Sequence, residues 1–233
     1  SLDWAWPTKK QFILLLLGGS CVILIFPYTI SLSLEAWSAA NMGVVLAAVP
    51  LLTAMIAAFV LSEKQHVFFW ISIFVGTCLL MHFAHSQSAT GMHPSVYIML
   101  ISACVGYSIG GHVAKTLGGF QTISWMAVIY LPISLLGIGY EIPKNLVTLN
   151  ETSLGAYLAV IYLAILSQWF GFKFWYGSMA KIGVANAGQV QLLQPFFTLL
   201  FSVPLLGAVL EPDHFIYAGL ITVTILVAIK FRR

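Results

Sequence analysis

Residues 185–198 read ANAGQVQLLQPFFT, and residues 40–53 read ANMGVVLAAVPLLT. Laid on one another they match at Ala40/Ala185, Asn41/Asn186, Gly43/Gly188, Val45/Val190, Pro50/Pro195 and Thr53/Thr198, six positions of 14 at one fixed offset. Whether the copies run in the same direction depends on what separates them. That is settled by composition.

Hydrophobic residues make up 60% of the 233 and charged residues 7%, against about 25% charged in soluble domains. Mean hydropathy is +0.97. Such a chain belongs in a bilayer, whose hydrocarbon core needs roughly 20 apolar residues per helical span. Eight runs meet that need, near 11–33, 39–61, 67–85, 95–115, 120–140, 154–176, 184–209 and 214–231. The expected fold is an all-α membrane protein of eight transmembrane helices joined by short loops. The two copies lie in the second and seventh runs, five helices apart, so they cross the membrane in opposite directions. Inverted repeats of this kind characterise secondary transporters, with the substrate near the midplane where the repeats meet.

Charge orients the bundle. The loops on the N-terminal side, the adjoining helix ends and the C-terminus carry Lys9, Lys10, Lys64, Lys115, Lys173, Lys181, Lys230, Arg232 and Arg233, and the opposite side carries only Lys144. Lys and Arg collect on the cytoplasmic side, so nine against one predicts both termini inside, with the cell membrane, a bacterial inner membrane, as the location. Because the basic residues follow membrane side, they are not a nucleic-acid patch. Cys21, Cys78 and Cys104 all fall within runs, which suits packing and neither a disulfide framework nor a zinc ligand set. No metal or cofactor is expected.

The stretch AAVPLLTAMIAAFVLSE at 47–63, with a proline in the span and a glutamate at its end, resembles the EamA-like branch of the drug/metabolite transporter superfamily. The run GQVQLLQPFFTLLFSVPLLG at 188–207 looks like the corresponding helix of that family's second repeat. The resemblance implies ten spans in two inverted five-helix repeats, cytoplasmic termini, and export or exchange of amino acids and other small metabolites. On that plan 1–85 supplies the last three helices of repeat one, 86–94 a linker, and 95–233 all of repeat two. The first two helices of the plan are missing from the chain. Pro50, Glu63 and Pro195 take the family's structural or gating positions, while Ala208 stands where repeat two would carry its glutamate.

Turning the seventh run at 100° per residue places Ala187, Gly188, Gln191, Gln194, Pro195, Thr198 and Ser202 within an arc of about 120°. Phenylalanines and leucines fill the rest. A polar stripe on an apolar helix faces protein or a water-filled cavity, and Pro195 cannot bond the carbonyl of Gln191. Gln191, Gln194 and Thr198 are therefore candidate substrate contacts, the competing reading being interhelical glue. The same arc of the second run, Met42, Gly43, Leu46, Val49, Pro50, Thr53 and Ala57, is nearly all apolar. One polar and one apolar wall suit an amphipathic solute such as an amino acid. The sixth run adds Gln168 and Trp175 on a face with Tyr157, Ala164, Gly171 and Ser178, while Tyr162, Trp169, Lys173 and Tyr176 form an expected lipid-facing strip.

Gly106-Tyr107-Ser108-Ile109-Gly110 fits the nucleophile-elbow pattern, but that motif needs a strand-to-helix turn, and here it lies within a span. Ser102, Gly106 and Gly110 read instead as a small-residue ridge for close helix packing, with Tyr107 beside it as a further cavity candidate. The histidines at span ends, His66, His82, His85, His93 and His214, read as solvated. The function expected is a secondary-active carrier working by alternating access, its partners a small-molecule substrate and the lipid bilayer, with a homodimer left open. A non-transporting membrane fragment and, more distantly, an intramembrane hydrolase are the alternatives.

Overall fold

The computed structural model describes residues 4–60, 66–87, 93–141, 152–182, 187 and 191–231. All regular structure among them is helical. In chain order the helices are α1 (Lys9–Ala36), α2 (Ala39–Leu46), α3 (Val49–Val60), α4 (Val67–Gln87), α5 (Pro94–Leu117), α6 (Gly119–Glu141), α7 (Leu154–Ile182), α8 (Gln194–Leu206) and α9 (Pro212–Lys230). Six of these, α1, α4, α5, α6, α7 and α9, are long and apolar enough to cross a membrane. The second run turns at Ala47–Ala48 between α2 and α3, and α8, the helix described in the seventh run, is likewise short.

Local chemistry sets the ends. Thr8 begins α1 with a reciprocal capping box, its hydroxyl accepting from Gln11 N–H while the Gln11 side chain accepts from Thr8 N–H, so two otherwise orphaned donors are satisfied. Ser38 caps α2, and Gly118, at φ 82°, makes the turn from α5 into α6. Within α1 the helix widens to a π turn at Ser20–Ile25, immediately before Pro27, whose ring and missing N–H disturb the preceding carbonyls.

Pairings at both ends of the bundle show alternating crossings. At the end that holds the termini, Gln11 Nε2 donates to Thr116 (2.9 Å), Trp125 Nε1 donates to the Ala5 carbonyl (3.1 Å) and His66 stacks on Phe231. At the far end Ser33 bonds Ser95 (2.7 Å), His214 bonds Asn41 (2.8 Å) and Tyr217 bonds His82.

The buried side chains fall into two clusters that share α5. One joins α2, α3, α4, α8 and α9 to the far half of α5 around Phe69, Phe83, Met99, Leu199 and Ile225. The other joins α1, α6 and the terminal-side halves of α5 and α7 around Leu15, Val113, Met126 and Tyr176. Tyr107 packs against both and so marks their seam.

The α5 ridge packs as its spacing predicts. A Cβ on Gly110 would lie 2.2 Å from the Tyr176 ring, and Tyr176 Oη donates to the Gly106 carbonyl at 3.3 Å. The expected strip on α7 needs correction here. Tyr162 and Trp169 are exposed and Lys173 half-buried, but Tyr176 is 0% exposed. The cause is the π-helical stretch Leu163–Gly171, whose wider turns retard the rotation, so a 100° count carried through it misplaces every later residue.

Candidate functional site

The two repeat copies meet where α2 crosses α8. A Cβ on Gly43 would come within 2.7 Å of Thr198 Cγ2 and 2.9 Å of its Cβ. Glycine is required at this crossing. In the repeat alignment Gly43 corresponds to Gly188 and Thr198 to Thr53, so the contact joins a repeat position of the first copy to a different repeat position of the second.

The helical breaks also correspond. In the first copy α2 ends in i→i−3 bonds, Ala47 N–H to the Val44 carbonyl and Ala48 N–H to the Val45 carbonyl, and α3 restarts at Val49 beside Pro50. In the second copy a 3₁₀ turn, Gln191–Leu193, precedes α8, which starts at Gln194 beside Pro195. Aligned, Ala47 and Ala48 fall on Leu192 and Leu193. Each proline sits at the first turn after a break, where its missing N–H costs no helical bond. Broken helices expose backbone carbonyls that a transporter can present to a solute.

Beside this crossing lies an open groove of about 490 Å³, lined by Gln194, Phe197, Thr198, Phe201, Ser202, Leu205 and Leu206 of α8 and by Ala39 of α2. Its size falls within the range of small-molecule sites, roughly 300–1,000 Å³. The groove surface is almost wholly apolar; Gln194, Thr198 and Ser202 follow one another along it, and the buried Ser202 hydroxyl donates to the Leu199 carbonyl of its own helix at 2.8 Å. The structure thus brings together Gln194 and Thr198 of the expected stripe, with Ser202. Gln191 sits half-buried in the turn before α8, and Pro195 and Pro50 are buried at the two breaks.

The remaining candidates lie apart from that line. Tyr107 and Trp175 face each other at 6.0 Å between ring centroids, with Phe172 at 5.8 Å from Tyr107. Trp175 Nε1 is shut off from solvent with no hydrogen-bond partner. Gln168 is half-buried within the π stretch of α7. Glu63 lies outside the described residues.

One polar group escaped the sequence reading. His214 is 4% exposed, not solvated. Glu211 N–H donates to its Nδ1 at 3.1 Å, which leaves the proton on Nε2 to donate to Asn41 Oδ1 at 2.8 Å. Asn41 is a repeat position, and that match was the only signal in the sequence. The bond ties the far end of α2 to α9.

The family model of the EamA-like transporter family matches residues 94–230. The chain belongs to this family, within the drug/metabolite transporter superfamily. It is similar to the uncharacterized transporter YdeK of Bacillus subtilis (strain 168), with 33% identity over 199 residues, 84% of this chain and 68% of that protein. It is also similar to the uncharacterized transporter YetK of the same organism, with 23% identity over 218 residues, 90% of this chain and 65% of that protein. The chain spans about two thirds of the length of both relatives. It is a multi-pass membrane protein of a transporter family, and the expectation drawn from Pro50 and the glutamine-bearing span is met at that level.

Proposed function

We propose that this chain is the larger part of a secondary-active carrier of small neutral or zwitterionic metabolites, such as amino acids with apolar side chains, working by alternating access as an exporter. The observation that carries the reading is the crossing of α2 and α8, where Gly43 and Thr198 of the two repeat copies meet beside a groove lined by Gln194, Thr198 and Ser202. Broken helices at a repeat interface supply both solute contacts and hinges. The solute's polar head bonds the α8 line, and its apolar part lies against Phe197 and Phe201. The charge bias supports cytoplasmic termini, which places this groove on the outer side.

Both matched relatives are longer than this chain, and the proposed seats for further helices of the carrier are α7, where every residue from 153 to 167 is exposed, and the open side of the α8 groove.

The test replaces Gln191→Leu and Gln194→Leu together in the full-length protein and measures radiolabelled amino-acid flux in proteoliposomes alongside melting in detergent. Hydrogen bonds between membrane helices are worth about 0.6 kcal/mol on average. Loss of the two is therefore expected to abolish transport while the protein stays folded, and Gln189→Leu is expected to matter less. Normal flux, or activity and stability falling together, would show that the glutamines are interhelical glue.

A further inference from the structure

A buried N–H without an acceptor is costly, and more so at membrane depth, where no bulk water is at hand to satisfy it. Trp175 and Trp169 sit six residues apart on α7 and differ in this respect. Trp169 Nε1 donates to Ser124 Oγ at 3.2 Å, whereas Trp175 Nε1 is buried and has no hydrogen-bond partner among the described residues. Trp175 also lies against Tyr107, at the seam of the two hydrophobic clusters. It stands where α7 passes from its fully exposed stretch into the packed half that begins at Phe172.

We infer that Trp175 Nε1–H is a solute-binding donor, and that its partner is the carboxylate of a small organic acid or amino acid whose apolar body packs against Tyr107 and Phe172. A neutral donor in a dry, aromatic surrounding gains most from a charged oxygen acceptor, since such bonds are roughly twice as strong as neutral ones. The aromatic rings supply apolar contact and no competing acceptor of comparable strength. Trp175 lies apart from the α8 line, so this is a second position on the solute's path; the assignment deepens the carrier reading by naming the part of the solute recognised there, and it rests on that reading.

The experiment compares Trp175→Phe with Trp169→Phe in the full-length protein. The probes are L-phenylalanine, phenylpyruvate and phenethylamine, the last having the same ring without a carboxylate. Binding is read as a ligand-induced rise in melting temperature, and transport as flux in proteoliposomes. The wild type is expected to bind L-phenylalanine or phenylpyruvate more tightly than phenethylamine. Trp175→Phe keeps an aromatic ring, though a smaller one, and removes the orphan donor, so carboxylate affinity should fall about tenfold while phenethylamine binding changes far less. Trp169→Phe, which loses a satisfied bond, should melt lower and keep its carboxylate preference. Binding without transport would overturn the carrier reading and leave Trp175 as the donor. No binding of either carboxylate by the wild type, or unchanged carboxylate affinity in Trp175→Phe, would overturn the assignment.

Discussion

The two copies of one 14-residue pattern share a break and a proline but are used differently. In the first, Met42 to Val45 and Ala47 to Leu51 are buried, and the segment is enclosed by α4, α5, α8 and α9. In the second, Pro195 and Leu199 are buried while Phe197, Leu200 and Phe201 are exposed and Gln194 and Thr198 line the groove. Substitution explains the difference. Val44, Leu46 and Val49 align with Gln189, Gln191 and Gln194, so one copy keeps apolar groups where the other has amides. Matched segments thus serve as buried scaffold on one side and as the wall of an open groove on the other.

The hardest way to break the pair is at its contact. Gly43→Val would drive a side chain into Thr198, whose Cβ as well as methyl is too near to accommodate it, so α2 and α8 must part. Overpacking of this kind costs about 1–3 kcal/mol, and melting in detergent should fall accordingly. Thr198→Gly in the same protein should recover part of the loss, which a double-mutant cycle would measure. Equal damage with and without Thr198 would place the strain elsewhere.

A milder change sharpens the comparison. Thr53 is the counterpart of Thr198, yet its hydroxyl donates to the Val49 carbonyl one turn back in its own helix, at 2.8 Å. Thr53→Val should shift melting by less than about 1 kcal/mol and leave flux unchanged, whereas Thr198→Val should slow flux. Equal losses of flux would mean that both copies contact the solute.

Pro50 and Pro195 stand in the first turns of α3 and α8, but proline alone did not locate those starts, since Pro27, Pro132 and Pro204 lie within α1, α6 and α8. Apolar run length located the six long helices, but it gave the second and seventh runs the same standing, and the helices described there are shorter. The π stretch at Leu163–Gly171 was not legible. No proline lies in α7, and the register error moved Tyr176 from the core to the lipid face. Burial of His214 was hidden for another reason. It depends on Phe83 and Asn41, more than 100 residues away in sequence, and a span-end histidine carries no local mark of such neighbours. Of the candidate site, the α8 stripe could be read from spacing, but the unpartnered Trp175 nitrogen required the positions of everything around it.

The central claim is that the groove beside the crossing is the solute's path, and accessibility at Thr198 tests it most directly. With Cys21, Cys78 and Cys104 replaced by Ala, Thr198→Cys in the full-length protein should react with a membrane-impermeant thiol reagent added from outside. A transported amino acid should slow that reaction. Failure to label from either face, or labelling that no transported solute affects, would contradict the account.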